Sequence, residues 1–303
     1  MEKLDGNKMK RLLIIYMAIL PIYVYSQGVS VTKSVSIAEL RNPKSVVDRN
    51  IPERPQNNEN TFVVIIANEN YKNVGDVEYA LNDGKIFYEY CNLTLGIPKE
   101  NIRLVQNATK NDIDYNVKWL GNLMNALNGT ANAILYYAGH GIPDDVKKDA
   151  YLLPVDGYGT ETSTGCRLSD IYSYLGAIDA KKILILLDAC FSGAMRDGSM
   201  MVSSRGVAIK AQPQAPKGNM VVLSATKDNE TAAPYTKEKH GLFTFFLLKK
   251  LQESAGNATL EEISTYVTEQ VARNSILVNG KSQTPSTYVS TQMGDDWKSW
   301  KLK

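Results

Sequence analysis

The stretch Ala133-Ile134-Leu135-Tyr136-Tyr137-Ala138-Gly139-His140-Gly141 and its counterpart Ile183-Leu184-Ile185-Leu186-Leu187-Asp188-Ala189-Cys190-Phe191-Ser192-Gly193 decide how this chain folds. Each is a short, near-continuous apolar run that ends among small residues. That is the pattern of a strand buried on both faces, as in a parallel sheet covered by helices. Working outward, apolar runs at residues 62–67, 102–105 and 220–225 read as further strands. Helical spacing of apolar residues marks 77–95, 111–127, 168–175, 242–253 and 260–273. Strands alternating with amphipathic helices predict an α/β fold: a mainly parallel sheet of about six strands with helices on both faces.

The chain has 303 residues, is 44% hydrophobic and carries a net charge of +2 with both signs interspersed. It is long enough for one large core or two modest ones. No basic stripe interleaved with aromatics stands out, so no nucleic-acid partner is expected. Three cysteines without CxxC spacing indicate neither a disulfide framework nor a zinc site. Lys3, Lys8, Lys10 and Arg11 precede an apolar stretch over 12–25, and Val24-Tyr25-Ser26 offers a small-residue cut before Gln27. This layout predicts a signal peptide over 1–26 and an exported mature protein, periplasmic or secreted, without stable membrane association. Residues 27–60 are polar and carry Pro43, Pro52 and Pro55, which reads as a linker or prosegment. The remaining 61–303 form the domain. Within it, residues 196–218 hold glycines, prolines and serines, and so predict a long exposed loop between two buried strands.

In such sheets ligands sit beyond the carboxyl ends of the strands. His140 and Cys190 both fall there, and they come from only two histidines and three cysteines. A thiolate attacks carbonyl carbon, and an adjacent imidazole holds the ion pair and protonates the leaving amine. The expectation is a cysteine hydrolase with a His140/Cys190 dyad and no further member. The backbone N–H groups of Gly141 and Cys190 are the expected oxyanion donors, each supplying on the order of 3 kcal/mol. Asp188 shares a strand face with Cys190, because side chains two apart point the same way; it serves either a substrate pocket or the backbone of a neighbouring helix. His240 opens a helix and reads as structural, Cys91 as core, and Cys166 as a free surface thiol.

The segments 137–141 and 187–193 resemble the histidine and cysteine motifs of caspase-like peptidases, with His140 about 50 residues before Cys190 as in the caspase signature. The resemblance spans about 61–289 and takes in Asn68-Glu69-Asn70-Tyr71 and Ser224-Ala225-Thr226. It is closer to metacaspases and bacterial caspase-like proteins than to animal caspases, because Asp188 stands where those have glutamine. Phe191 departs from the arginine or histidine usual after the cysteine.

The resemblance implies an endopeptidase that cuts after arginine or lysine. Asp83 and Asp188 would line its pocket for the basic side chain, with Ser224 nearby and small Ala138 leaving the pocket open. It also implies self-cleavage in the loop after Cys190, at Arg196, Arg205, Lys210 or Lys217. The cut would separate a large part, about 61–195, from a small part, about 219–303. No cofactor is required; calcium is a candidate, because Asp149, Asp170 and Asp197 lie near the metacaspase ligand positions. The expected partners are peptides or proteins with basic residues, and the expected state is a monomer. The alternatives are a legumain- or gingipain-like peptidase of other specificity, and a non-catalytic caspase fold used as a regulatory module.

Overall fold

The computed structural model of the chain describes residues 44–144, 148–192, 215–227 and 230–303. The segments 1–43 and 193–214 lie outside the described residues, and with them the signal peptide, Arg196, Asp197, Arg205 and Lys210. No helix among the described residues is long and apolar enough to cross a membrane.

Six strands form the central sheet: β1 (Thr61–Ala67), β2 (Ile102–Gln106), β3 (Asn132–Ala138), β7 (Lys182–Asp188), β8 (Met220–Ser224) and β11 (Ser286–Val289). Their order is β11-β8-β7-β3-β1-β2, parallel throughout except for the antiparallel edge strand β11. β1, β3, β7 and β8 are almost wholly buried, whereas the edge strands β2 and β11 are only partly covered. Continuous apolar runs in the sequence are therefore interior parallel strands.

Among the described residues five α-helices flank the sheet: α1 (Ala80–Glu89), α2 (Lys110–Ala126), α3 (Leu168–Gly176), α4 (Leu242–Ser254) and α5 (Leu260–Asn279). Ile65, Tyr136, Leu184 and Leu186 pack with α1, α4 and α5, and Cys190 belongs to this same face. Val64, Leu135, Ile183 and Ile185 pack with α2 and α3 on the other. α2 and α5 both begin with a capping box, Thr109 with Asp112 and Thr259 with Glu262, which satisfies donors that the first turn leaves open. α1 continues as a π-turn through Tyr90–Thr94, so its apolar pattern reads from sequence as one longer helix.

A small antiparallel sheet not foreseen from sequence follows β3: β4 (Gly141–Asp144), β5 (Asp149–Leu152) and β6 (Cys166–Arg167). These strands are too short to give a periodic signal. β9 (Pro234–Tyr235) and β10 (His240–Gly241) form a further two-residue pair just before α4. Residues 44–58 are seated on the body despite their polar, proline-marked sequence. Val47 is fully buried, Tyr90 OH donates to its carbonyl, and Thr94 donates to the Pro52 carbonyl.

Candidate active site

β3 and β7 are hydrogen-bonded neighbours with Ala138 opposite Asp188. Gly139 N–H still donates to the Asp188 carbonyl, at 3.3 Å. His140 and Cys190 each lie two residues past that pair, so both leave adjacent strand ends on the same side of the sheet. The two turns then touch. A Cβ on Gly141 would stand 2.3 Å from the Phe191 ring and 2.6 Å from the Cys190 carbonyl oxygen. Only hydrogen fits there, which gives Gly141 a physical reason and Phe191 a role: its ring covers the Gly-His-Gly turn from the face of α2 and α3.

His140 is buried, and four residues hold it. Its Nε2 lies 2.7 Å from the Gly75 carbonyl oxygen, an acceptor only, so this nitrogen carries the proton. Its backbone N–H donates to Tyr71 OH at 2.8 Å, and the Tyr71 ring packs against the imidazole with centroids 4.8 Å apart. Its carbonyl accepts from Tyr137 OH at 2.7 Å and from Leu153 N–H at 3.0 Å. The last bond makes Gly141 and Leu152 a non-hydrogen-bonded pair of the β4–β5 ladder, so Gly141 N–H turns away from β5. Sequence reasoning expected a dyad without a third member; the Gly75 carbonyl orients the imidazole in that place. A backbone carbonyl has no residue-type signature, and only the motif at 68–71 pointed toward this loop.

Asp188 and Asp83 are both fully buried, and both converge on the N-terminus of α4. Asp188 accepts from Thr244 N–H at 3.2 Å and from Thr244 OH at 2.6 Å. Asp83 accepts from Gly241 N–H at 3.0 Å and faces His240 Nδ1 at 2.7 Å. On the other side of the same ring, Nε2 lies 2.8 Å from Asp48. Both ring nitrogens thus face carboxylates, which requires an imidazolium. Burial disfavours that charge, but the hydrogen bonds to Asp48 and Asp83 and their negative charges outweigh it and raise the pKa to about 9. His240, read from sequence as structural, is a buried cation joining three chain segments. Ala138 is buried between Ala67 and Asp188, and Ser224 ends β8 opposite Leu187, one residue short of Asp188.

The other candidates lie elsewhere. Cys166 is a buried thiol rather than a surface one; burial, together with Asp114, pushes its pKa up to about 12. Cys91 is core, its pKa raised by burial. Asp149 holds the Arg167 guanidinium at 2.6 Å and accepts from Ser169, and the exposed Asp170 lies 3.7 Å from the same guanidinium. The Arg167 guanidinium thus stands between two of the three carboxylates expected as calcium ligands, and the third, Asp197, lies outside the described residues. Among the described residues no three His, Cys, Asp or Glu side chains group closely enough to hold a metal ion. A cavity of about 420 Å³ lined by Lys110, Asp114, Cys166, Arg167 and Asp170 contains neither His140 nor Cys190. Lys217 is exposed, with its carbonyl against Gly176, where the chain enters β8.

A mainly parallel sheet with a histidine and a cysteine on adjacent strand ends defines a cysteine peptidase-like fold. The chain belongs to the caspase-domain family, whose model matches residues 60–295. No curated protein matches it. Among solved structures it is similar to protein GSU0716 from Geobacter sulfurreducens, with TM-score 0.58 and 14% identity over 79% of this chain and 97% of that one. It is also similar to caspase-1 from Spodoptera frugiperda, with TM-score 0.53 and 15% identity over 80% of this chain and 90% of that one. At such identity both likenesses speak to the fold alone.

Proposed function

We propose that the chain is an exported cysteine endopeptidase that cleaves after arginine or lysine and processes itself in the loop after Cys190. The observation that carries the reading is the meeting of the His140 and Cys190 turns, with His140 Nε2 held by the Gly75 carbonyl. In this reading Nδ1, the nitrogen opposite that bond, exchanges the proton. The Cys190 thiolate attacks the substrate carbonyl carbon, and the oxyanion is received by the N–H groups of Gly141 and Cys190. The His140 imidazolium gives its proton to the leaving amine; the imidazole then takes one from the water that hydrolyses the thioester. Charge supports the basic preference: three carboxylates, Asp188, Asp83 and Asp48, are gathered around the start of α4.

The test uses fluorogenic peptides ending in arginine, lysine, aspartate or asparagine, beside Cys190→Ala. Release from the basic peptides alone, absent in the variant, is expected. Release only from aspartate or asparagine would remove the basic specificity, and silence on all four would remove the activity.

A further inference from the structure

The loop between β1 and α1 does more than supply the Gly75 carbonyl. Tyr71 meets His140 twice, through its hydroxyl on the backbone N–H and through its ring on the imidazole. The same hydroxyl donates to the Leu153 carbonyl at 3.3 Å, on the strand segment that also bonds the His140 carbonyl. Tyr71 is itself tied down: its N–H donates to Asp76 Oδ1 at 3.0 Å, so the loop closes over the residue that carries the Gly75 carbonyl. Val77 N–H donates to the Glu69 carbonyl at 2.9 Å and completes the closure. The room for this arrangement comes from Gly139, where a Cβ would stand 2.6 Å from Tyr71 OH and 2.7 Å from Tyr137 OH. Asp76 therefore fixes the distance between the two groups that grip the imidazole, one on its face and one on its edge.

We propose that Tyr71 and Asp76 are positioning residues for His140, Tyr71 directly and Asp76 through it, and that together they keep the imidazole as the Nε2–H tautomer bonded to the Gly75 carbonyl. The inference rests on the peptidase reading for its consequence but not for its test. In water the two tautomers of a neutral imidazole differ little, so a fixed acceptor at fixed distance selects one only if the ring cannot turn away from it. The Tyr71 ring blocks that turn on one face, and its hydroxyl holds the main chain from which the ring swings. Asp76 needs no charge for this task, only an acceptor oxygen. An asparagine there should therefore serve, and an alanine should not.

The chain has two histidines, so nitrogen-15 resonances of the imidazoles resolve His140 once a His140→Gln protein has identified its signals. The wild type should show the Nε2–H tautomer of His140. Tyr71→Phe, which keeps the ring and removes one hydroxyl, should give a mixture and move the titration midpoint. Asp76→Ala should do the same, and Asp76→Asn should restore the wild-type pattern. An unchanged tautomer and midpoint in folded Tyr71→Phe would overturn the proposal, whether or not Asp76→Ala folds. With the basic peptide, Tyr71→Phe should lower kcat about tenfold, as one misplaced hydrogen bond does, with KM little moved. A wild type inactive on every peptide would sink the peptidase reading, while the tautomer measurement would still decide the positioning role.

Discussion

His240 shows how far a single residue's role depends on its neighbours. A histidine before a helix is an ordinary sequence feature, but here its ring is closed between Asp83 on α1 and Asp48 on the N-terminal arm. Its pKa stands near 9, above the ordinary 6.5, so the sign of its pH dependence is fixed. The stabilisation is complete below pH 6.5 and is lost as pH rises through about 9. His240→Gln should therefore flatten the decline in melting temperature between those values, and Asp48→Asn should weaken it. Breaking the buried pair at Asp83→Ala should cost about 3 kcal/mol in denaturant unfolding, because it leaves the imidazole buried with half its compensation. A melting profile of His240→Gln parallel to wild type across that range would exclude the assignment. Cys166 gives the complementary lesson. It reads from sequence as a surface thiol, but pairing with β5 buries it.

At the level of elements, the strand ends and the small sheet after β3 build the site. Gly141 starts β4 and packs against both Phe191 and the Cys190 carbonyl, so the histidine and cysteine turns are joined by a contact without side-chain room. Gly141→Ala should lower stability by about 1–3 kcal/mol, read from the denaturant midpoint, because the new methyl overlaps main-chain oxygen as well as a movable ring. In a Phe191→Ala background, which carries its own cavity cost, the glycine substitution should cost less but not nothing, since the Cys190 carbonyl remains. A double variant as stable as Phe191→Ala alone would show that the ring alone sets the spacing. α4 is a second case. Its N-terminus receives Asp83 at Gly241 and Asp188 at Thr244, two buried carboxylates at the positive end of a helix dipole. The alternative that Asp188 serves the backbone of a neighbouring helix is thus seen directly in its hydrogen bonds.

For the whole molecule, the sheet order places β1 between β2 and β3, so the chain steps outward from β1 to β2 and then crosses back past β1 to β3. A crevice is expected at that switch point beyond the carboxyl ends of the strands. The loop holding Tyr71 and Gly75 follows β1, and His140 follows β3, so the topology delivers the imidazole and its support to one place. Away from it, Arg167 ties β6 to β5 and α3 through Asp149 and Asp170. A divalent cation at Asp149 would have to displace this guanidinium. Millimolar calcium or a chelator should therefore leave the melting temperature of the protein unchanged; a rise of several degrees with calcium would reveal a site that binds the folded state.

The sequence by itself determined the class of fold and the positions of His140 and Cys190. Buried parallel strands write themselves as apolar runs, and a strand end followed by a small-residue turn is a local feature. It also carried the caspase-like motifs over most of the chain. Only the tertiary structure decided that β3 and β7 are neighbours, that a Gly75 carbonyl orients the imidazole, and that Asp83 and Asp188 meet at α4. It alone paired Asp48 with His240 across 192 residues. Those contacts join segments far apart in the chain through main-chain atoms and ion pairs, and neither leaves a periodic trace in the order of the amino acids.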